Sequence, residues 1–120
     1  MKNKVSVIIP TFNGERTIER AIKSVLNQTA DCEIEILVCD DCSIDNTVKI
    51  AKKLGAKIIK NAKHCGGPNA GRNLGITKAT GNLIAFLDQD DEWLIEKLEI
   101  QLQQIGDCDV VSSAKITRNE

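Results

Sequence analysis

Two acidic clusters in this sequence have the residue types to hold a hard cation and to accept hydrogen bonds from ring-nitrogen or ribose hydroxyl donors. Asp88-Gln89-Asp90-Asp91 follows the apolar run Leu83-Ile84-Ala85-Phe86-Leu87, and Asp40-Asp41 follows Ile36-Leu37-Val38-Cys39. On an extended segment alternate side chains point the same way, so Asp88 and Asp90 can converge on one ion with Asp91 close by. Magnesium and manganese accept carboxylate oxygen and complete their shells with water and phosphate. The plainer reading makes these aspartates turn formers and caps for a helix at Trp93. Placement directly after an apolar strand favours the cation. Asp41 is suited to accept a hydrogen bond from a base N–H, with an Asx turn as the alternative. For Asp45 the cap is the better reading.

Other residues join these clusters. Arg72 can clamp a diphosphate bidentately, and Gly66-Gly67 let backbone N–H groups approach an anion; the competing role for Arg72 is a solvated place on a helix. Gly71 in the same helix costs about 1 kcal/mol against alanine, which points to close packing there. Cys39-x-x-Cys42 with His64-Cys65 has zinc or redox spacing. Cys39 falls inside a strand, however, and the spacing fits no compact zinc module, so His64 reads as a loop residue.

The elements that must position these groups alternate. Val5 to Ile9 reads as a buried strand stopped by Pro10, followed by a helix from Asn13 or Gly14 to Gln28. A second strand runs from Glu33 to Cys39, a helix capped by Asp45 ends at Gly55, and Lys57 to Lys60 is a third strand. Pro68 opens a helix to Ala79, Leu83 to Leu87 is the fourth strand, Trp93 to Ile105 a helix, and Asp109 to Ala114 the start of a fifth strand. Such alternation requires crossovers, and so a mostly parallel α/β sheet with helices on both faces. Ligands of such sheets sit beyond the carboxyl ends of the strands, where Pro10-Thr11-Phe12, Asp40-Asp41 and Asp88-Gln89-Asp90-Asp91 all fall.

The totals narrow the partners. The 120 residues suit a single domain with a real core. Sixteen basic against seventeen acidic residues, with only two Phe and one Trp, argue against nucleic acid or an anionic membrane as the main partner. Apolar runs of about five residues are far short of a transmembrane segment. Five cysteines without a signal-peptide pattern favour a reduced, cytoplasmic setting.

Taken together, the segments from Lys4 to about Leu94 resemble family 2 glycosyltransferases, inverting enzymes of the GT-A fold. The resemblance is carried by Val5-Ser6-Val7-Ile8-Ile9-Pro10-Thr11-Phe12-Asn13-Gly14, Ser24-Val25-Leu26-Asn27-Gln28-Thr29, and Ile36-Leu37-Val38-Cys39-Asp40-Asp41-Cys42-Ser43-Ile44-Asp45-Asn46-Thr47. Gly66-Gly67-Pro68, Gly71-Arg72-Asn73-Leu74-Gly75 and Ala85-Phe86-Leu87-Asp88-Gln89-Asp90-Asp91 complete it. Each block is weak alone; their order and spacing are specific. The resemblance implies a Rossmann-like half of that fold that binds a nucleotide-diphosphate sugar, a UDP-sugar first. Pro10, Thr11 and Phe12 would form the base pocket, Phe12 stacking on the base and Asp41 bonding a uracil-type ring. Arg72 would lie near the nucleotide. Asp88 and Asp90 would hold Mn2+ or Mg2+, with Asp90 the direct ligand. It further implies transfer to a glycan or lipid-linked acceptor in bacterial polysaccharide or cell-surface glycan synthesis, peripheral at the inner face of the membrane. Cys42 stands where the family usually has Gly or Asn. No residue matches the catalytic general base, which is expected beyond Glu120, so the chain is expected to be the N-terminal donor-binding part of a longer enzyme.

Three rivals share parts of this pattern. A receiver domain would need its acidic pair after the first strand, and a dinucleotide oxidoreductase its Gly-x-Gly-x-x-Gly turn. A sugar nucleotidyltransferase would carry a glycine-rich basic loop after strand one, absent here. A non-catalytic nucleotide-binding module remains the other alternative.

Overall fold

The computed structural model describes residues 2–111. Strands β1 (Lys4–Thr11), β2 (Glu33–Asp40), β3 (Lys57–Lys60) and β4 (Leu83–Phe86) alternate with helices α1 (Ile18–Leu26), α2 (Thr47–Lys53), α3 (Asn69–Lys78) and α4 (Lys97–Ile105). All strand pairs are parallel and the order is β3-β2-β1-β4.

That order dictates the layers. The chain steps outward from β1 to β2 to β3, then returns across the sheet to β4. Right-handed crossovers in opposite directions put their helices on opposite faces. Val5, Val7, Ile9, Ile36 and Val38 accordingly pack with Ile18, Ala21, Ile22 and Val25 of α1 and Ala51 of α2. The alternate residues Ile8, Leu37 and Cys39 form a second cluster under α3. Two glycines let α3 approach: a Cβ on Gly71 would lie 3.0 Å from Pro10 Cβ, and one on Gly75 would lie 2.6 Å from Ile8 Cγ2. The sequence expectation of close packing at Gly71 is met.

Several boundaries differ from expectation, each for a local reason. Pro10 does not stop β1, which runs on to Thr11. β4 pairs with β1 only as far as Phe86 and Ile8, followed by one bond from Leu87 N–H to the Ile8 carbonyl. The Thr11 carbonyl accepts from Asp41 N–H on the β2 side. Backbone groups alternate sides along a strand, so Pro10 turns its missing donor toward the side that β4 has already left, where no ladder bond is lost. α1 begins at Ile18 rather than Asn13 or Gly14, because Asn13 has φ 46°, outside the helical region. Among the described residues β4 lies at one edge of the sheet, and despite its apolar sequence Ile84 and Phe86 are over 40% exposed. α4 begins at Lys97 rather than Trp93: Ser24 Oγ accepts from Trp93 N–H and Gln28 Nε2 donates to the Leu94 carbonyl in the preceding loop, while Gln28 Oε1 accepts from Leu98 N–H in the first turn of α4. Asp109 to Val111 form no ladder, and the rest of the expected fifth strand lies outside the described residues.

Candidate functional site

The point where strand order reverses lies between β1 and β4, and ligands of open parallel sheets bind outside the carboxyl ends there. Beyond β1, Phe12-Asn13-Gly14 is tied across to the loop after β2. Asn13 N–H donates to Ser43 Oγ (2.9 Å), Asn13 Oδ1 accepts from Ile44 N–H (2.9 Å), and Gly14 N–H donates to Thr47 Oγ1 (2.8 Å). Asp40, buried beside Thr11, accepts from the Ser43 backbone N–H (3.1 Å) and hydroxyl, which shapes the loop. Asp45 accepts from Thr47 N–H, the Asx-type cap expected of it, although Asn46 rather than Asp45 occupies the position just before α2.

Asp41 is buried, and its carboxylate gathers the loop before α3. It accepts from Asn61 Nδ2 (2.8 Å), Cys65 N–H (2.8 Å) and Gly66 N–H (3.0 Å), with His64 Nδ1 2.8 Å away. Bonds from Asn61 and Cys65 hold its pKa below the ordinary carboxylate value against the effect of burial, helped by Gly66 and His64. Gly66 N–H, expected to approach an anion of the ligand, thus serves the Asp41 carboxylate. Gly66 and Gly67 both have φ above 70°, a conformation that suits glycine. The His64 ring lies over Phe12 with centroids 4.5 Å apart, and Phe12 is 42% exposed.

At the end of β4, one carboxylate oxygen from each of Asp88, Asp90 and Asp91 lies within 4.8 Å of the others. The convergence arises from a turn, closed by Asp91 N–H on the Asp88 carbonyl (3.0 Å), and not from alternation along a strand as the spacing alone suggested. Arg72 Nη2 sits 3.0 Å from Asp88 Oδ1, and its guanidinium carbon lies 5.9 Å from the Phe86 ring centre. Arg72 is therefore a partner of the acidic turn rather than a solvated helix residue. Arg20 Nη2 donates to the Asp90 carbonyl (3.1 Å), anchoring the turn to α1. Like charges this close repel, and a hard cation with oxygen preference is the partner that relieves them. The donor set fits Mg2+ or Mn2+.

Three contributors escaped sequence reasoning. The Gln89 side-chain amide pairs with both backbone groups of Phe12: N–H to Oε1 at 2.9 Å and Nε2 to the carbonyl at 3.1 Å. This couples the acidic turn to the loop after β1. Asn61 and His64 reach Asp41 from a loop that carries no signal for doing so.

The model of Glycosyl transferase family 2 matches residues 6–120, and the chain belongs to that family. Its sheet is the Rossmann-like half of the GT-A fold. The chain is 42% identical over 103 residues to the UDP-Glc:alpha-D-GlcNAc-diphosphoundecaprenol beta-1,3-glucosyltransferase WfgD of Escherichia coli, covering 84% of this chain and 40% of that protein. It is 38% identical over 109 residues to the GalNAc(5)-diNAcBac-PP-undecaprenol beta-1,3-glucosyltransferase of Campylobacter jejuni, covering 87% of this chain and 35% of that one. Among solved structures, Staphylococcus aureus TarS in complex with UDP-GlcNAc superposes with TM-score 0.80 at 35% identity, over 89% of this chain and 32% of that chain. The chain thus spans well under half the length of these relatives.

Proposed function

We propose that this chain forms the donor-binding part of an inverting glycosyltransferase that uses a UDP-sugar and a divalent cation in bacterial cell-surface glycan synthesis. The observation that carries the reading is the convergence of Asp88, Asp90 and Asp91 beside the β1–β4 switch point, linked by Gln89 to the Phe12 loop. Similarity to undecaprenol-diphosphate-linked glucosyltransferases and to a UDP-GlcNAc-binding structure supports the donor class and a lipid-linked acceptor; work at the inner face of the membrane is part of the same proposal. Among the described residues no helix is long and apolar enough to cross a membrane.

In this reading Asp90 and Asp88 hold the cation with Asp91 beside them, and when bound it supplies Lewis-acid neutralisation of the leaving diphosphate. Arg72, already 3.0 Å from Asp88, would offer its guanidinium to the diphosphate. Phe12 offers its face to the uracil ring, flanked by Pro10 and Thr11. Asp41 accepts the ring N–H when His64 yields. His64 can leave by rotation of its half-exposed side chain, while the loop's backbone N–H groups stay in place.

A thermal-shift panel of nucleoside diphosphates with and without Mn2+ tests the reading. A ligand that binds only the folded state raises the melting temperature by mass action, so UDP with Mn2+ is expected to give the largest rise. Equal rises without the cation, or none with any nucleotide, would contradict it.

A further inference from the structure

We propose that Gln89, the middle residue of Asp88-x-Asp90, is a positioning residue that couples base recognition to cation binding; this rests on the donor-binding reading above. The coupling follows from where the β1–β4 ladder stops. Its last rung is Leu87 N–H on the Ile8 carbonyl. Pro10 then offers no donor, and β4 turns away into the acidic turn. Four residues beyond Ile8, the Gln89 amide makes the rung that backbone no longer makes, donating to the Phe12 carbonyl and accepting from its N–H. A primary amide is the side-chain group that reproduces one donor and one acceptor side by side.

The neighbouring residue is shaped to admit it. A Cβ on Gly14 would lie 2.3 Å from Gln89 Oε1 and 2.7 Å from Cδ. Gly14 φ is not in the left-handed region, so the backbone itself does not demand glycine there. The space for Gln89 is what the missing side chain provides. The far side of the Phe12 loop is pinned as well, by Asn13 to Ser43 and Gly14 to Thr47. Gln89 therefore sets the distance between the Phe12 loop and the carboxylates on either side of itself. In a nucleoside diphosphate the base and the phosphates are joined covalently, so that distance must match a fixed molecular span. A binding site held loosely by about 1 Å loses much of its advantage.

Coupling of this kind appears as a factor by which the cation strengthens nucleotide binding, equal to the factor by which the nucleotide strengthens cation binding. The test is calorimetry with UDP and with uridine, each with and without Mn2+, on the wild type, Gln89→Ala, Gln89→Met, Gly14→Ala and Gly14→Ala/Gln89→Ala. Melting temperatures check that each variant is folded. Uridine reports the base loop alone, and UDP with Mn2+ reports the loop and the turn together. Both Gln89 variants are expected to lower UDP affinity in Mn2+ about tenfold while uridine affinity stays within about twofold. Gly14→Ala, which evicts the amide, is expected to behave the same way, and to add nothing in the Gln89→Ala background where its space is empty. Unchanged UDP affinity in the Gln89 variants, an equal loss for uridine and UDP, or additive Gly14 and Gln89 effects would each overturn the proposal. Wild type that binds no UDP with Mn2+ would instead remove the donor reading on which it rests.

Discussion

Glu35, at the amino ends of the strands, and the acidic turn after β4, at their carboxyl ends, are treated in opposite ways. At the amino ends of the strands, Glu35 is buried and accepts from Ser6 Oγ (2.7 Å), Thr80 N–H (2.9 Å), Thr80 Oγ1 (2.7 Å) and Lys57 Nζ (3.1 Å). Ser6 Oγ in turn accepts from Gly81 N–H (2.8 Å). Every donor comes from the protein, and together they fasten the turn between α3 and β4 to the sheet. Gly81 is glycine because a Cβ there would lie 2.5 Å from the Lys4 carbonyl. At the carboxyl end of β4, one carboxylate oxygen from each of three aspartates lies within 4.8 Å of the others, with Arg72 at Asp88. A charge whose partners are all internal stabilises the fold. Carboxylates drawn this close repel one another, and a bound cation can relieve that repulsion, the usual stability–function exchange.

Substitutions at the two ends should therefore separate stability from binding. The largest effect is expected at the upper end: Asp90→Ala lowers UDP affinity in the presence of Mn2+ by about 100-fold, since a lost ligand removes several kcal/mol of charge stabilisation. Its melting temperature should hold or rise, because a like charge is gone; calorimetry paired with a melting curve reads both.

Glu35→Ala should do the reverse. It strands the Ser6 and Thr80 donors and frees Lys57, and is expected to cost about 2 kcal/mol in denaturant unfolding while UDP affinity stays unchanged. A shift in affinity would show that the lower end reaches the site.

Acid should sharpen the same contrast. Burial raises the Glu35 pKa, but the bonds from Ser6, Thr80 and Lys57 outweigh it and bring it from 4.5 to about 2. With the folded value below the unfolded one, the charged carboxylate stabilises the fold fully above pH 4.5 and loses that contribution as pH falls toward 2. The stability gap between wild type and Glu35→Gln should narrow over that window in unfolding curves taken at stepped pH.

The smallest effect concerns Cys42, which adopts φ 66°. Left-handed geometry costs a non-glycine residue about 1 kcal/mol, partly offset by glycine's greater freedom when unfolded. Cys42→Gly should raise unfolding stability by about 0.5 kcal/mol.

Much of this was legible in the sequence because it is local. The β-branched runs, the one-sided apolar spacing of α1 and the glycines flanking α3 named the elements and their order, and the strand-end aspartates named the site. What stayed hidden is non-local. Nothing in Asp88-Gln89-Asp90-Asp91 announces that its amide will pair with Phe12, some 77 positions away. The start of α4 differs from the sequence reading because Ser24 of α1 and Gln28 just after it bind Trp93 and Leu94 in the loop ahead of the helix. Pro10 looked like a stop because its harmlessness depends on where β4 ends. The exposure of Ile84 and Phe86 depends on strand order, which no single segment contains.

The central claim is that the acidic turn holds a divalent cation together with a uridine diphosphate. Titrating Mn2+ into the protein and following the spectrum of the free ion by electron paramagnetic resonance tests it most directly. The account predicts one class of bound Mn2+, tightened by UDP and lost in Asp90→Ala. Mn2+ that stays free with UDP present, or that binds equally well to Asp90→Ala, would contradict it.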